Sequence, residues 1–404
     1  MTIAIYSLTS ELHDEQAVSL VSKEFLGSLS VEFDFKGNNF ADYGTHALDL
    51  IYIQTGGTEG IFKRLLPELS EKSDRPFYLL TSGKSNSLAA SMEILSYLQQ
   101  NSFKGEIIHG NSTYISKRIR LLARVGEAKR QLRGCRLGIV GEPSDWLISS
   151  VADKAAVKKQ LGIDLIEIPM QDVLDTIVST PMIEAKEKST KECVKKALPG
   201  ANQIYEALKL IVEKYHLQGF TIRCFDLLTA VKNTGCLALA KLNAEGIVSG
   251  CEGDVPALIS MAISRSIVGV SGFQANPARI DLETGEMLFA HCTIPLNMVE
   301  RYELHTHFES GIGVGIRGFM KEGPVTIFKV SGNLACHFVE EGTLVRSQAE
   351  PDLCRTQQVV RLKNPDKTTY FLKAPIGNHH IILPGHCKEV LEEMLPGSSS
   401  FINE

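Results

Sequence analysis

The sequence predicts an α/β chain: two doubly wound, Rossmann-like domains followed by an antiparallel, barrel-like β domain. Three observations carry this. Short apolar strands alternate with amphipathic helices through the first two-thirds, the pattern of parallel sheet with helices on both faces. After about residue 270, strands rich in Val, Ile and Phe follow one another across Gly, Pro and Asn turns, the pattern of an antiparallel sheet or small barrel. And 404 residues exceed what one ordinary core serves.

The elements fall in order. "TIAIYSL" is a first strand, followed by "LDLIYIQTGG" with a helix in "TEGIFKRLLPEL". "RPFYLLTSG" leads to a helix in "SLAASMEILSYLQQ", and "KGEIIHG" to one through "SKRIRLLARVGEAKRQL". A second set starts at "CRLGIVG", passes through "AAVKKQLGIDLIEIP", and reaches "GFTIRCFDLL" and "AEGIVSGCEGDVPALISMAISRSIVG". The third region reads as strands in "EMLFAHCTI", "GIGVGIRGFM", "GPVTIFKVSG", "TQQVVRL" and "TTYFLKAP", closed by a helix in "CKEVLEEML". Domains are expected at 1–130, 131–270 and 271–404.

Composition narrows the function. Hydrophobic residues make up 44% and charged residues 22%, as in soluble globular proteins. A net charge of −5 and the absence of a basic stripe with aromatics exclude bulk attraction to nucleic acid or membrane. No apolar run approaches the ~18–20 residues of a membrane span. The start "MTIAIYSLTS" lacks a signal peptide's basic region and cleavage site. Nine cysteines without a C-x-x-C pair fit reduced thiols, so a cytoplasmic protein is expected.

Ligands of doubly wound sheets sit beyond the strands' carboxyl ends. Two such loops, "IQTGGTEG" and "LTSGKSNSL", enter helices; Gly56 and Gly57 in the first let the backbone approach a ligand. Neither is a dinucleotide or P-loop motif, which argues against a nucleotide. "SGCEGDVPALISM" sets Glu252 and Asp254 in a Gly-flanked turn before an apolar helix, where Asp254 suits an N-cap. His291 ends the strand in "LFAHCTIP", and "GNHH" supplies His379 and His380. One carboxylate and two imidazoles suit Mn²⁺, Co²⁺ or Fe²⁺, whereas a structural zinc site would use thiolates.

The segments "CEGDVPALISM", "FAHCTIP" and "GNHHIILPGH", with "YIQTGGTEG", "SNSLAASMEIL" and "CRLGIVGEPSDWLI", resemble the L-fucose and L-arabinose isomerase superfamily over most of the chain. The resemblance implies two α/β domains and a β-barrel, an aldose–ketose isomerase acting through a cis-enediolate, a divalent cofactor (Mn²⁺ foremost), a monosaccharide substrate, and a homotrimer or homohexamer. It implies Glu252 as metal ligand and catalytic base, and His291 and His380 as imidazole ligands, with His379 the alternative to His380 and otherwise a substrate-side group. His109 in "IIHG" resembles a histidine that reaches the substrate from a neighbouring subunit, and Gly57 and Asp254 fall among the substrate-binding positions. There is a departure: where the family has a second metal-binding and catalytic carboxylate, this chain has Asn276. An amide oxygen can ligate a metal but shuttles no proton, which leaves a water, Asp254 or Asp281 as the second acid. Two other functions share the pocket: a sugar-binding or regulatory homologue without turnover, and a metal-dependent epimerase or lyase.

Overall fold

A computed structural model describes residues 2–184 and 186–395 and the backbone of 399–400. The chain divides into two compact units, residues 1–130 and 131–404.

The first unit is one parallel sheet. Its elements are β1 (Ile3–Leu8), α1 (Glu15–Gly27), β2 (Asp34–Gly37), β3 (Leu48–Ile53), α2 (Glu59–Lys72), β4 (Phe77–Thr81), α3 (Ser87–Gln100), β5 (Gly105–Ile108) and α4 (Ser112–Leu132). The strand order is β2-β1-β3-β4-β5, and every pairing is parallel. All residues of β1 and β3 are buried, which explains their unbroken apolar runs: helices cover both faces of such a sheet.

The second unit opens with β6 (Arg136–Val140), α5 (Lys154–Leu161), β7 (Asp164–Ile168), α6 (Met170–Ser179), α7 (Glu192–Tyr215), β8 (Gly219–Ile222), α8 (Phe225–Ala230), α9 (Cys236–Ala244), β9 (Val248–Cys251) and α10 (Val255–Val268). Its four strands are parallel in the order β7-β6-β8-β9. After α10 come β10 (Phe273–Ile280), β11 (Glu286–His291), β12 (Arg301–His305), β13 (Gly315–Phe319), β14 (Gly323–Val330), β15 (Cys336–Gln348), β16 (Thr356–Leu362), α11 (Thr369–Lys373), β17 (His380–Pro384) and α12 (Lys388–Met394). Strands β14-β17-β10-β11-β16-β15 close on themselves through a β14–β15 pairing, a six-stranded antiparallel barrel as the sequence predicts. Phe273, Ala275, Met287, Phe289, Val325, Ile327, Phe338, Val360 and Ile382 fill it, alternate residues of their strands as the pleat requires.

One predicted strand is helical. "TTYFLKAP" follows a 3₁₀ turn (Pro365–Thr368) and forms α11 rather than a strand. Asn364 caps that turn by accepting from Asp366 N–H (3.1 Å), and Pro365 sits at its first position, where its missing N–H costs nothing. Tertiary packing then holds α11: Tyr370 stacks on Phe338 with ring centroids 3.9 Å apart. β-propensity yields to such packing.

Candidate metal centre

The turn after β9 is the keystone of the site. Glu252 follows the last strand residue with φ 64°, and Gly253 follows with φ 71°. A left-handed conformation costs a non-glycine residue about 1–2 kcal/mol, and three contacts hold Glu252 there. Its carbonyl accepts from Ser144 N–H (2.9 Å), Gly253 N–H donates to the Ile222 carbonyl (3.0 Å), and Asp254 caps α10 by accepting from Ala257 N–H (2.8 Å). Strain over-determined by its surroundings is characteristic of functional turns. Glycine is obligatory at 253: a Cβ there would stand 2.5 Å from the Glu142 carbonyl oxygen. Gly253→Ala is therefore expected to destabilise the fold by about 2 kcal/mol and to weaken metal binding, read by thermal melts with and without Mn²⁺. A variant with wild-type melting in both states contradicts this account of the turn.

Among the described residues, one group of three potential ligands converges: Glu252, His291 and His379, with one ligand atom of each within 4.8 Å of the others. Glu252 Oε1 faces His291 Nε2 at 3.4 Å and His379 Nε2 at 3.5 Å. Its Oε2 accepts from the Trp146 indole N–H at 2.7 Å. The two imidazole rings meet edge-on, 5.3 Å between centroids. Both histidines are buried, and Glu252 is 9% exposed.

A second set of groups fixes the imidazoles. His379 Nδ1 donates to Asp254 Oδ2 at 2.9 Å. Asp254 also takes the Lys329 ammonium at 3.2 Å, so it is an acceptor there, and Nδ1 carries a proton whether the His379 ring is neutral or charged. That leaves Nε2 turned toward Glu252, buried and without a hydrogen-bond partner. His291 Nδ1 pairs with Thr293 Oγ1 at 2.8 Å, which turns its Nε2 the same way. A carboxylate behind a ligating imidazole is the usual support of a metal histidine. A buried nitrogen without a partner is costly, so the donor set fits a divalent cation.

Charges in the cluster are strongly shifted. Burial pushes His379 down, but Glu252 and Asp254 outweigh it and raise the ring to about 9. Burial disfavours the Glu252 carboxylate, yet His379 and His291 hold it far below the usual range. Asp254 is likewise held low, against its burial, by Lys329 and His379. His291 is lowered by burial, with Glu252 opposing. In metal-free protein the sign for His379 is clear: a group raised above its ordinary 6.5 adds stability that is complete below about pH 6.5 and lost as pH climbs through about 9. The EDTA-treated protein is thus expected to melt progressively lower between pH 7 and 9.5, relative to His379→Gln. A constant difference across that window contradicts the shift.

The sequence-predicted positions separate. Of the two adjacent histidines, His379 joins the cluster. The structure does not bring His380 there: its Nε2 pairs with Tyr370 Oη (3.0 Å) and its Nδ1 donates to the Asn378 carbonyl (3.0 Å). His380 pairs with Ala275, whose side chain fills the barrel, so its ring faces the interior among Phe338, Tyr370 and Phe371. Burial lowers it to about 3, a neutral core imidazole. Asn276 lies on β10 opposite Ala290, its Oδ1 buried and without a partner. Asp254 acts through His379 rather than facing the cluster. Asp281 is committed to the β10–β11 hairpin, accepting from Glu283 and Thr284 N–H. Gly57 (φ 79°) and His109, which pairs through Nδ1 with the Thr81 carbonyl at 3.2 Å, belong to the first unit.

Sequence reading missed Trp146, Thr293 and Lys329 as site residues. Lys329 had a signal, being the lone charge inside the apolar run "VTIFKVSG". Trp146 is the chain's single tryptophan, on the loop beyond the carboxyl end of β6, where ligands gather.

No family model matches this chain. Curated relatives are sulfoquinovose isomerases: that of Priestia aryabhattai is 24% identical over 264 residues, 61% of this chain and 59% of the relative. That of Alkalicoccus urumqiensis is 23% identical with the same coverages, and that of Clostridium sp. (strain MSTE9) is 24% identical over 58% of this chain and 52% of the relative. The chain thus spans little more than half the length of the relatives it matches, and its similarity is to named sugar isomerases.

Proposed function

We propose that the chain is a divalent-metal-dependent aldose–ketose isomerase acting on a monosaccharide through a cis-enediolate. The observation that carries this is the buried Glu252–His291–His379 cluster, with the unpartnered Nε2 of His379 turned into it. The similarity to sugar isomerases supports it. Glu252, His291 and His379 would hold the ion, with the Asn276 amide oxygen a further donor. When bound, a cation there supplies positive charge to the two substrate oxygens between which the carbonyl moves. Mn²⁺ is the ion proposed, on the mixed oxygen and nitrogen donors.

The proton work falls to this chain's own groups. Glu252 takes a proton from one carbon and returns it to the next, with Trp146 holding its Oε2. Burial favours its protonated form, but the charged His379 ring overrides this and keeps its basicity low; neutralising that ring restores it. Once the ring is neutral, Asp254 and Lys329 keep His379 in the tautomer whose Nε2 is free. With Asn276 unable to carry a proton and Asp281 committed elsewhere, one carboxylate serves both carbons. The resemblance adds a homotrimer or homohexamer with His109 reaching a neighbouring subunit's site, and the sequence pattern adds three domains at 1–130, 131–270 and 271–404, Gly57 near the sugar, and a cytoplasmic location. No helix among the described residues is long and apolar enough to cross a membrane.

Asn276 favours one rival, a sugar binder without turnover. Proton NMR in D₂O across a panel of aldoses and ketoses separates the two. The isomerase interconverts a pair and incorporates deuterium next to the new carbonyl, with part of the original hydrogen transferred directly by the single base. Turnover is abolished by EDTA and restored by Mn²⁺. Ligand-induced stabilisation with no turnover, or turnover indifferent to EDTA, overturns the proposal.

A further inference from the structure

A cavity of about 210 Å³ lies behind the Glu252–His291–His379 cluster, on the Lys329 side. Ser149 and Ser150, Lys329 and Ser331 of the β14–β15 hairpin, and Ile376 and Gly377 wall it. Its lining carries one cation, three serine hydroxyls and no carboxylate. Several of these groups have donors to spare. The Lys329 ammonium has three N–H bonds to place and is 1% exposed. Among the described residues its single acceptor is Asp254, at 3.2 and 3.3 Å. That carboxylate already accepts from His379 Nδ1–H and Ala257 N–H. The Ser149 and Ser150 hydroxyls have no partner among the described residues, and they stand 3.7 and 4.0 Å from where a Cβ on Gly377 would sit. Burial lowers the Lys329 ammonium, with Asp254 opposing, so a further negative group would favour its charged form.

Short distances tie this cavity to the centre. Lys329 meets Asp254 at 3.2 Å, and Asp254 meets His379 Nδ1 at 2.9 Å. The same ring sets its Nε2 3.5 Å from Glu252 Oε1. The Gly377 wall continues into Asn378, whose Oδ1 accepts from His379 N–H at 2.8 Å. A buried ammonium and hydroxyls without protein acceptors are completed by a group that brings negative charge and several oxygens. The volume, below the roughly 300 Å³ at which ligand pockets begin, suits an ion rather than a sugar. We propose that the cavity is a regulatory site for a small tetrahedral oxyanion, phosphate or sulfate, held by Lys329, Ser149 and Ser150. Negative charge there offsets Lys329 and leaves more of the Asp254 charge facing the cluster, which favours a divalent cation. The anion site stands on the cavity itself; its coupling rests on the metal reading of Glu252, His291 and His379.

The test has two arms on the full-length protein. EDTA-treated protein is titrated with inorganic phosphate or sulfate, by calorimetry and thermal melts, with NaCl at matched ionic strength as control. Saturable binding of about one anion per chain is expected, with stabilisation beyond that given by NaCl. Ser149→Ala/Ser150→Ala leaves the Lys329–Asp254 pair in place and should weaken the anion at least about tenfold. In the second arm free Mn²⁺ is counted by electron paramagnetic resonance, and saturating sulfate should lower the Mn²⁺ Kd at least about fivefold relative to NaCl. By linkage, Mn²⁺ should tighten sulfate by the same factor. No stabilisation beyond that of NaCl, or anion affinity unchanged in the double variant, overturns the site and leaves the metal reading standing. An Mn²⁺ Kd within about twofold in the two salts overturns the coupling. If Mn²⁺ binds in neither salt, the metal reading fails and the EDTA-treated arm alone decides the site. Where the double variant does not fold, Ser149→Ala alone, at an exposed position, decides by loss or retention of anion affinity.

Discussion

Glu252→Gln is expected to lower kcat/KM by about 10³-fold or more, because one substitution removes both the proposed base and a proposed negative metal ligand. The amide keeps the size of the side chain and its contact with the Trp146 indole, which lies 2.7 Å from Oε2, so the fold should persist. The charge balance changes: against burial, His379 is raised mainly by Glu252, and without that carboxylate its ring should titrate lower. Activity and bound Mn²⁺ are measured together on the same preparation. A variant retaining more than about a tenth of the activity contradicts the role given to Glu252.

The second large effect is on stability. Lys329 and Asp254 are fully buried, 1% and 0% exposed, and paired at 3.2 Å. Breaking a buried pair by removing one partner costs about 3–5 kcal/mol, since the other charge is left without compensation. Lys329→Met should show this in urea denaturation, with a fall in Mn²⁺ affinity as Asp254 loses its partner behind His379. Asp254→Asn leaves the buried Lys329 ammonium uncompensated in the same way, and it also disturbs the His379 tautomer and the α10 cap. The double variant should be more stable than the two single losses summed, as coupled groups are not additive. A Lys329→Met protein within about 1 kcal/mol of the original contradicts the pairing.

The parallel sheets and the barrel were legible because they rest on periodicity, which local sequence carries. The long helix α7 was not picked out, although Val194, Leu198, Ala201, Ile204, Leu208 and Ile211 bury one face of it at helical spacing; Pro199 inside it obscures the pattern. At the site, Glu252 and His291 stand out as polar groups at apolar strand ends. The choice between His379 and His380 does not. Adjacent strand residues point to opposite sides, but which side faces the barrel depends on the β10–β17 register, Ala275 against His380, formed between residues about a hundred positions apart. The supporting shell depends on such contacts too: Lys329 meets Asp254 from 75 positions away, and Trp146 meets Glu252 from 106.

The most direct measurement is metal content by mass spectrometry on the unaltered protein, His379→Ala and His380→Ala, each equilibrated with Mn²⁺ and desalted. The account predicts about one ion per chain in the unaltered protein, near-complete loss in His379→Ala, and retention in folded His380→Ala, whose ring serves the barrel core. Full metal in His379→Ala, or its loss from a folded His380→Ala alone, would contradict the centre at Glu252, His291 and His379.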